Sequence, residues 1–530
     1  MKKIGDSGII SVLLTSLLLI VSWPPLSFTP LLFIAFVPLF MMIDKERSWF
    51  KGWLKIYMSL FFWSLGTMYW IGNTKVDSIG LAIMVVAWLL IPLFQSVPML
   101  IFMMLRRRYE RVQIWYLMPF LWVSYEYLHS HWQLSFTWLN IGFGLSSWPW
   151  ITQFYEITGF LGGTWLVMSI NVLLFQLYTH RTHRKIAAKF GYACLGLILS
   201  VIILNSILHN NGAGTTTAKV AIIQPNTDPY EVLDEHSLKR QVGLVQSATN
   251  NLREAGVDLV VLPEGYLRSA MSAPFILDSI DNQPVVKALK QVSMNIKAPI
   301  LTGFIGFRLF ANNPPSAALP TGDGRYFSMY NGAMLIAHDQ DTQIQLKNNL
   351  VPFMERIPYL EHFSFFESFK LKLNQAKVSY EKDDLVNTFI YKNLRIGTLI
   401  CLDALYTDYA TKFIRKEANL IAIIANDGWA GKTSGYHQNA AYASAVATSL
   451  NRDIARSATT GKSLFLDQNG RKYKITNWDE SRVIVHQVRL HEHFSIYARF
   501  GDWMGIVSIL ISIGIVCFCV YQSFIPSKPI

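Results

Sequence analysis

Eight apolar runs, most of them close to the length of a bilayer crossing, constrain this chain more than any other feature. A spanning helix needs about 20 apolar residues, because each residue advances about 1.5 Å across roughly 30 Å of hydrocarbon. Candidate spans lie near 9–23, 30–43, 54–73, 79–105, 115–128, 157–178, 187–208 and 503–522, with those at 30–43 and 115–128 the shortest. The first follows Lys2 and Lys3 and has the shape of a signal peptide. Pro24-Pro25-Leu26 is not a small-residue cleavage site, however, and another apolar run follows at once, so retention is expected. The composition agrees with a membrane protein: 52% of residues are hydrophobic and 15% charged.

Loop charge gives the orientation, since Lys and Arg gather on the cytoplasmic side. Every second loop is basic: Lys2 and Lys3, then Lys45, Arg47 and Lys51, then Arg106, Arg107, Arg108 and Arg111, then Arg181, Arg184, Lys185 and Lys189. Loops 24–29 and 129–156 contain no Lys or Arg, and Lys528 lies near the end. The net charge of +12 is therefore explained by orientation in a bilayer, and nucleic acid is not an expected partner. The layout predicted is a membrane domain over 1–208 with seven transmembrane helices, an extracytoplasmic domain over 218–490, and an eighth transmembrane helix over 502–523. A polar linker, His209 to Thr217, joins the first two.

Within 218–490, β-prone runs alternate with helical patterns, which predicts an α/β domain. Strands are expected at 219–224, 258–262, 300–307, 333–338, 394–401 and 420–425, and helices at 235–255 and 284–296. Three strands run into polar residues at their carboxyl ends, where α/β sites collect. These are Pro263-Glu264, Cys401, and Asn426-Asp427-Gly428-Trp429.

Of four cysteines, Cys194, Cys517 and Cys519 lie in apolar runs and only Cys401 in a water-soluble segment, so no disulfide framework is expected. A cysteine at a strand end is a potential nucleophile if a base takes its proton and a donor stabilises the oxyanion on the attacked carbonyl. Glu264 and Lys347 are suitable in type. Read alone, Cys401 is a small buried hydrophobe, Glu264 a solvated turn residue, Lys347 a surface charge, and Glu355 half of a surface ion pair with Arg356. Trp429 is either a packing residue or one placed at a pocket or membrane entrance. His362 and His437 read as surface or capping residues, and no metal spacing occurs. Glu126 ends an apolar run and is either functional or an interfacial, hydrated acid. Gly162-Gly163 lacks phosphate-loop context and suggests close helix packing.

Taken together, the motifs resemble those of a known family. Leu262-Pro263-Glu264, Lys347 with Leu350 to Pro358, Ile400-Cys401 and Asn426 to Trp429 are similar, in that order, to the Glu, Lys and Cys motifs of the nitrilase superfamily. A nitrilase-like domain between seven spans and one more resembles the apolipoprotein N-acyltransferase family. Trp138 to Gly142 and Gln153 to Gly159 match that family's membrane motifs.

The resemblance implies an αββα sandwich, no cofactor, and a bacterial inner-membrane location with the catalytic domain on the periplasmic side. It also implies a two-step transfer. Cys401 takes an acyl chain from a membrane phospholipid as a thioester, which then passes to the α-amine of the diacylglyceryl-modified N-terminal cysteine of an apolipoprotein. Glu264 is implied as general base, Lys347 as oxyanion donor, and Glu355, Asp403 and Trp429 as supporting residues. The chain departs from the family at Leu402-Asp403 (commonly Tyr-Glu), at Ala430 (commonly a bulky aromatic) and at His129 (often Arg). These changes bear on the substrate pocket and leave the three catalytic positions intact. Two other functions fit the same residues: a membrane-anchored amidase that passes the acyl group to water, and an inactive lipoprotein-binding scaffold.

Overall fold

The computed structural model describes residues 3–74, 78–109, 112–209, 214, 216–270, 272–315, 317–359 and 379–524. Arg111, His362, Lys528 and most of the 209–217 linker lie outside the described residues. Two compact units result, Met1–Asn211 with Phe500–Ile530, and Gly212–Arg499.

The first unit is helical: α1 Lys3–Ser22, α2 Val37–Lys45, α3 Trp49–Thr67, α4 Ser78–Arg108, α5 Met118–His129, α6 Tyr155–Thr179, α7 Arg184–Leu208, and a terminal helix Trp503–Phe524. Among the described residues, Met84–Arg108, Tyr155–Thr179 and Arg184–Leu208 are long and apolar enough to cross a membrane, with shorter apolar helices at Gly8–Ser22 and Trp503–Phe518. The runs at 30–43 and 115–128 are each split. A 3-10 turn, Thr29–Phe33 or Val112–Leu117, precedes a helix of 9 or 12 residues. Pro38 and Pro119 explain the split: a proline opens a helix readily but gives no N–H to extend one from upstream.

Glu126 on α5 is neither interfacial nor hydrated. It is 1% exposed and accepts from Trp122 Nε1 at 3.0 Å, the Ile141 amide at 2.7 Å and Thr164 Oγ1 at 2.6 Å. These bonds bind the Trp138–Gly142 segment to α5 and α6. Gly142 must be glycine there, because a Cβ would lie 2.0 Å from the Phe160 carbonyl oxygen. The close approach expected at Gly162-Gly163 comes from α6 itself. Its backbone breaks at Gly159 (φ 63°), and the Thr158 and Tyr155 side chains fill the space over the two glycines.

The second unit contains β1 Thr216–Gln224, β2 Leu259–Val261, β3 Ile300–Phe310, β4 Leu319–Pro320, β5 Tyr326–Ile336, β6 Gln343–Leu346, β7 Phe389–Tyr391, β8 Leu394–Ile400, β9 Leu420–Ala425, β10 Ile454–Ala458, β11 Leu464–Leu466, β12 Lys472–Tyr473 and β13 Arg482–Leu490. Its principal helices are α8 Ser237–Thr249, α9 Leu252–Ala255, α10 Pro284–Ile296, α11 Thr407–Arg415 and α12 Ser434–Leu450. One sheet runs β13-β1-β2-β3-β5-β4 with β6 on β5; the other runs β12-β11-β10-β9-β8-β7.

Strand side chains alternate between faces, so each sheet sends one apolar set inward and one outward. Val220, Ile222, Val261 and Leu335 of the first sheet pack with Ile396, Ile400 and Ile424 of the second. On the other faces, Val245 and Leu289 of α8 and α10 cover Ala221 and Val260, while Phe413 and Val446 of α11 and α12 cover Leu399 and Ile421. The layers are therefore α, β, β, α, and each fully buried aliphatic side chain contributes about 1.5–3 kcal/mol.

The expected helix over 235–255 breaks at Asn250-Asn251 into α8 and α9, and Gly256 (φ 62°) ends it in the left-handed conformation. Strand β5 begins at Tyr326, seven residues before the run read from sequence, because it pairs with β3 along its whole length.

Candidate active site

Four chain segments leave the two sheets at the site. β2 runs into Pro263-Glu264, β6 into Lys347, β8 into Cys401 and β9 into Asn426. Glu264 can approach β3 because residue 303 is glycine, where a Cβ would lie 2.5 Å from the Pro263 oxygen and 2.6 Å from Glu264 Cα.

Lys347 is the centre of the arrangement. Its Nζ, 1% exposed, donates to Glu264 Oε1 at 2.9 Å and to Glu355 Oε1 at 2.8 Å. Burial works against its charge, but Glu264, Glu355 and Cys401 overcome it and hold the ammonium well above its usual range. Asn331 of β5 donates to the same two oxygens, at 2.8 Å and 3.2 Å. The Asn426 amide reaches Glu264 Oε2 at 3.0 Å, and the Val351 amide reaches Glu355 Oε2 at 2.8 Å. Glu355 therefore faces Lys347 and not solvent; the neighbouring Arg356 pairs with Glu381 at 2.7 Å.

Cys401 opens a 3-10 turn, Cys401–Leu405, with φ 51°. A side chain other than glycine held in left-handed backbone costs of order 1–3 kcal/mol, and such positions cluster at functional sites. The residue is partly open to solvent. Burial and then Glu264 push the thiol well above its usual pKa, while Lys347 pulls the other way. The resting group is a thiol that needs a base.

Asp403 ties this turn to the lysine segment. Its Oδ1 accepts from the Asn349 amide at 2.8 Å and from Asn349 Nδ2 at 2.9 Å, and its Oδ2 accepts from the Ile400 amide at 3.3 Å. Burial pushes its pKa up to about 6, with Lys347 and the Asn349 bonds opposing. Leu402, next to it, is buried.

Trp429 stands apart from this network. It is 43% exposed, and its ring meets Tyr230 edge-on at 5.0 Å. His437 is not a surface residue: it lies half-buried against Tyr436, with ring centroids 4.1 Å apart.

Sequence reasoning missed three residues of the network. Asn331 and Arg456 are polar side chains inside otherwise apolar strands, which is the signal that was available. Arg456 forms a fully buried two-bond pair with Asp427, at 2.8 Å and 3.1 Å, and so fixes the turn whose Asn426 amide holds Glu264. Asn349 carries no comparable signal. Among the described residues no cluster of metal-ligating side chains occurs.

Residues 15–173 match the apolipoprotein N-acyltransferase N-terminal domain, and residues 219–493, about half of the chain, match the carbon-nitrogen hydrolase family. The chain belongs to the apolipoprotein N-acyltransferase family of carbon-nitrogen hydrolases. A relative in that family, apolipoprotein N-acyltransferase of Chlorobaculum tepidum, is 27% identical over 519 residues, covering 94% of this chain and 95% of its own. The apolipoprotein N-acyltransferase of Geobacter metallireducens is 25% identical over 507 residues, covering 92% and 91%. Among solved structures, the nitrilase-superfamily protein Nit3 of Saccharomyces cerevisiae covers 52% of this chain and 91% of its own, at 15% identity and a TM-score of 0.35. As a member of the family the chain is an acyltransferase.

Proposed function

We propose that the chain transfers an acyl chain from a membrane phospholipid, through a thioester on Cys401, to the α-amine of the diacylglyceryl-modified N-terminal cysteine of an apolipoprotein. The observation that carries this reading is the single buried ammonium of Lys347 shared by Glu264 and Glu355, which leaves Cys401 between a carboxylate base and a fixed cation.

In the first half-reaction Glu264 takes the proton of the Cys401 thiol as sulfur attacks the ester carbonyl. Lys347 donates to the oxyanion of the tetrahedral intermediate. Collapse breaks the ester C–O bond, and the lysophospholipid oxygen leaves with the proton from Glu264. In the second half the acceptor amine attacks the thioester, Glu264 receives the amine proton, and the C–S bond breaks. The proton returns to sulfur as the amide forms. Glu264 already accepts from Lys347, Asn331 and Asn426, which orient it and leave acceptor capacity for one more proton donor. Asp403 and Glu355 act through the elements they hold: one fixes the turn of Cys401, the other the position of Lys347.

The chain is expected in the bacterial inner membrane as a multi-pass protein. The alternating basic loops support placing 218–490 on the periplasmic side, as an extracytoplasmic domain between a seven-span segment over 1–208 and an eighth span over 502–523. The test is trapping. Protein incubated with phospholipid labelled in its acyl chain is expected to carry a hydroxylamine-sensitive label that Cys401→Ala lacks. No label, or equal labelling of the variant, overturns the mechanism. Mass spectrometry of a model lipoprotein then separates transfer, which adds one acyl mass at the N-terminal cysteine, from hydrolysis, which releases free acid.

A further inference from the structure

A second polar cluster lies on the far side of the Asp427–Arg456 pair from Cys401. Gly461 (φ 85°) packs against Asp427 and Tyr436, so the turn after β10 touches the first turn of α12. Lys462 follows Gly461; its amide reaches Asp427 Oδ2 at 3.5 Å, and its carbonyl accepts from Arg456 Nη1. His437 follows Tyr436 on α12, and Trp478 closes over Tyr436 with centroids 5.0 Å apart. Lys472, on β12 opposite Leu466 of β11, completes the group.

Lys462, Lys472 and His437 are all half-buried, and among the described residues neither lysine ammonium forms an ion pair or hydrogen bond. The one acid that couples to this group, Asp427, is already taken by the two bonds from Arg456. Half-buried lysines ordinarily find an acid or reach into water, and this cluster carries uncompensated positive charge. Its titration agrees. Burial, then Lys462 and Arg456, bring Lys472 down to about 8; burial, then Lys462, bring His437 down to about 4. Burial, then Arg456, bring Lys462 below its usual range. The first turn of the 17-residue helix α12 adds the positive end of its dipole.

We propose that Lys462, Lys472 and the first turn of α12 form a binding site for a phosphate group. A phosphate diester or dianion would neutralise both ammonium groups at once, a match of charge and geometry that neither a carboxylate-bearing side chain nor water supplies within the described residues. The two sources of that chemistry are free inorganic phosphate and the headgroup of a phospholipid. The headgroup source rests on the proposed transfer reaction; the site itself does not.

Isothermal titration of the purified full-length protein in detergent, with inorganic phosphate in one arm and sn-glycero-3-phosphoglycerol in the other, reads binding without any acyl transfer. Saturable binding is expected in at least one arm, weakened tenfold or more in Lys462→Gln/Lys472→Gln and retained in Lys462→Arg/Lys472→Arg. Binding of phosphate alone identifies a free anion as the ligand, and binding of the glycerophosphodiester identifies a headgroup. No binding in either arm, or equal binding by the glutamine variant, overturns the site. Should the glutamine variant not fold, NMR of reductively methylated lysines in the wild-type protein decides. Phosphate must raise the pH at which the Lys472 resonance titrates, and an unchanged titration overturns the site. Because acyl transfer is never read, failure of the trapping experiment leaves this result standing, and the reverse also holds.

Discussion

Replacing Lys347 by methionine keeps most of the side-chain length and removes one positive charge from a position that is 1% exposed. Two carboxylates depend on that charge, Glu264 at 2.9 Å and Glu355 at 2.8 Å. Removing one partner of a buried pair costs about 3–5 kcal/mol, mainly because the remaining charge is left uncompensated. Here two remain, so the upper end of that range is expected. At about 2–4 °C per kcal/mol for a large domain, the melting temperature in detergent should fall by on the order of 10 °C. The single-turnover rate of labelled-adduct formation should fall by about 100- to 1,000-fold, the usual effect of losing one oxyanion donor. Adding Glu355→Gln to the variant removes one unpaired carboxylate. It should recover roughly half of the lost stability and none of the rate. The reasoning is refuted if Lys347→Met melts with the parent, keeps its adduct rate within about tenfold, or becomes still less stable when Glu355→Gln is added.

Asp403 gives a pH signature. Its folded pKa of about 6 lies above the unfolded value of about 3.9, so its contribution is complete below pH about 4 and is lost as pH rises through about 6. Melting of Asp403→Asn should therefore vary less between pH 4.5 and 7 than melting of the parent, by about 2–3 kcal/mol of pH-dependent stability; parallel profiles would contradict the assignment. Arg456→Met should destabilise by about 3–5 kcal/mol, and Arg456→Met/Asp427→Leu should recover most of it, because an apolar pair can replace a buried ion pair. Thermal melts of both variants check this. Trp429→Ala removes a half-exposed ring, so its melting should stay within about 1 kcal/mol of the parent; a role at the pocket predicts a raised KM for the lipid donor at unchanged stability.

The membrane unit was legible where apolar runs are unbroken, as at α6 and α7, and less so where a proline near the start of a helix divides a run, as at Pro38 and Pro119. In the second unit the central strands β2, β8 and β9 are short, buried and apolar, and their limits follow from composition. Strand β13 was not read from sequence. Arg482–Leu490 carries His486, Gln487 and Arg489 between its apolar residues, and only pairing along the whole of β1 makes it a strand. At the site, Glu264, Lys347 and Cys401 were named through an ordered set of motifs, and the structure gathers them around one ammonium. Asn331 was missed because a polar residue inside a strand has no meaning until two carboxylates are found to share it. The orientation of Glu355 was equally hidden, since its neighbour Arg356 offered a partner in sequence that Glu381 takes in space.

Glu264 and Lys347 are carried by strands of one sheet and Cys401 by a strand of the other, and what separates the sheets is a layer of aliphatic side chains: Ile222, Val261 and Leu335 against Ile396, Ile400 and Ile424. The gap between base and nucleophile is thus a spacing set by spacers that touch neither. Trimming one of them, as in Leu335→Ala, would let the two halves of the sandwich settle together and alter the working distance of the reaction with every reacting group still present. Among homologues, reaction rate could then drift through the volume of this layer alone, a form of tuning that comparison of active-site residues would never register.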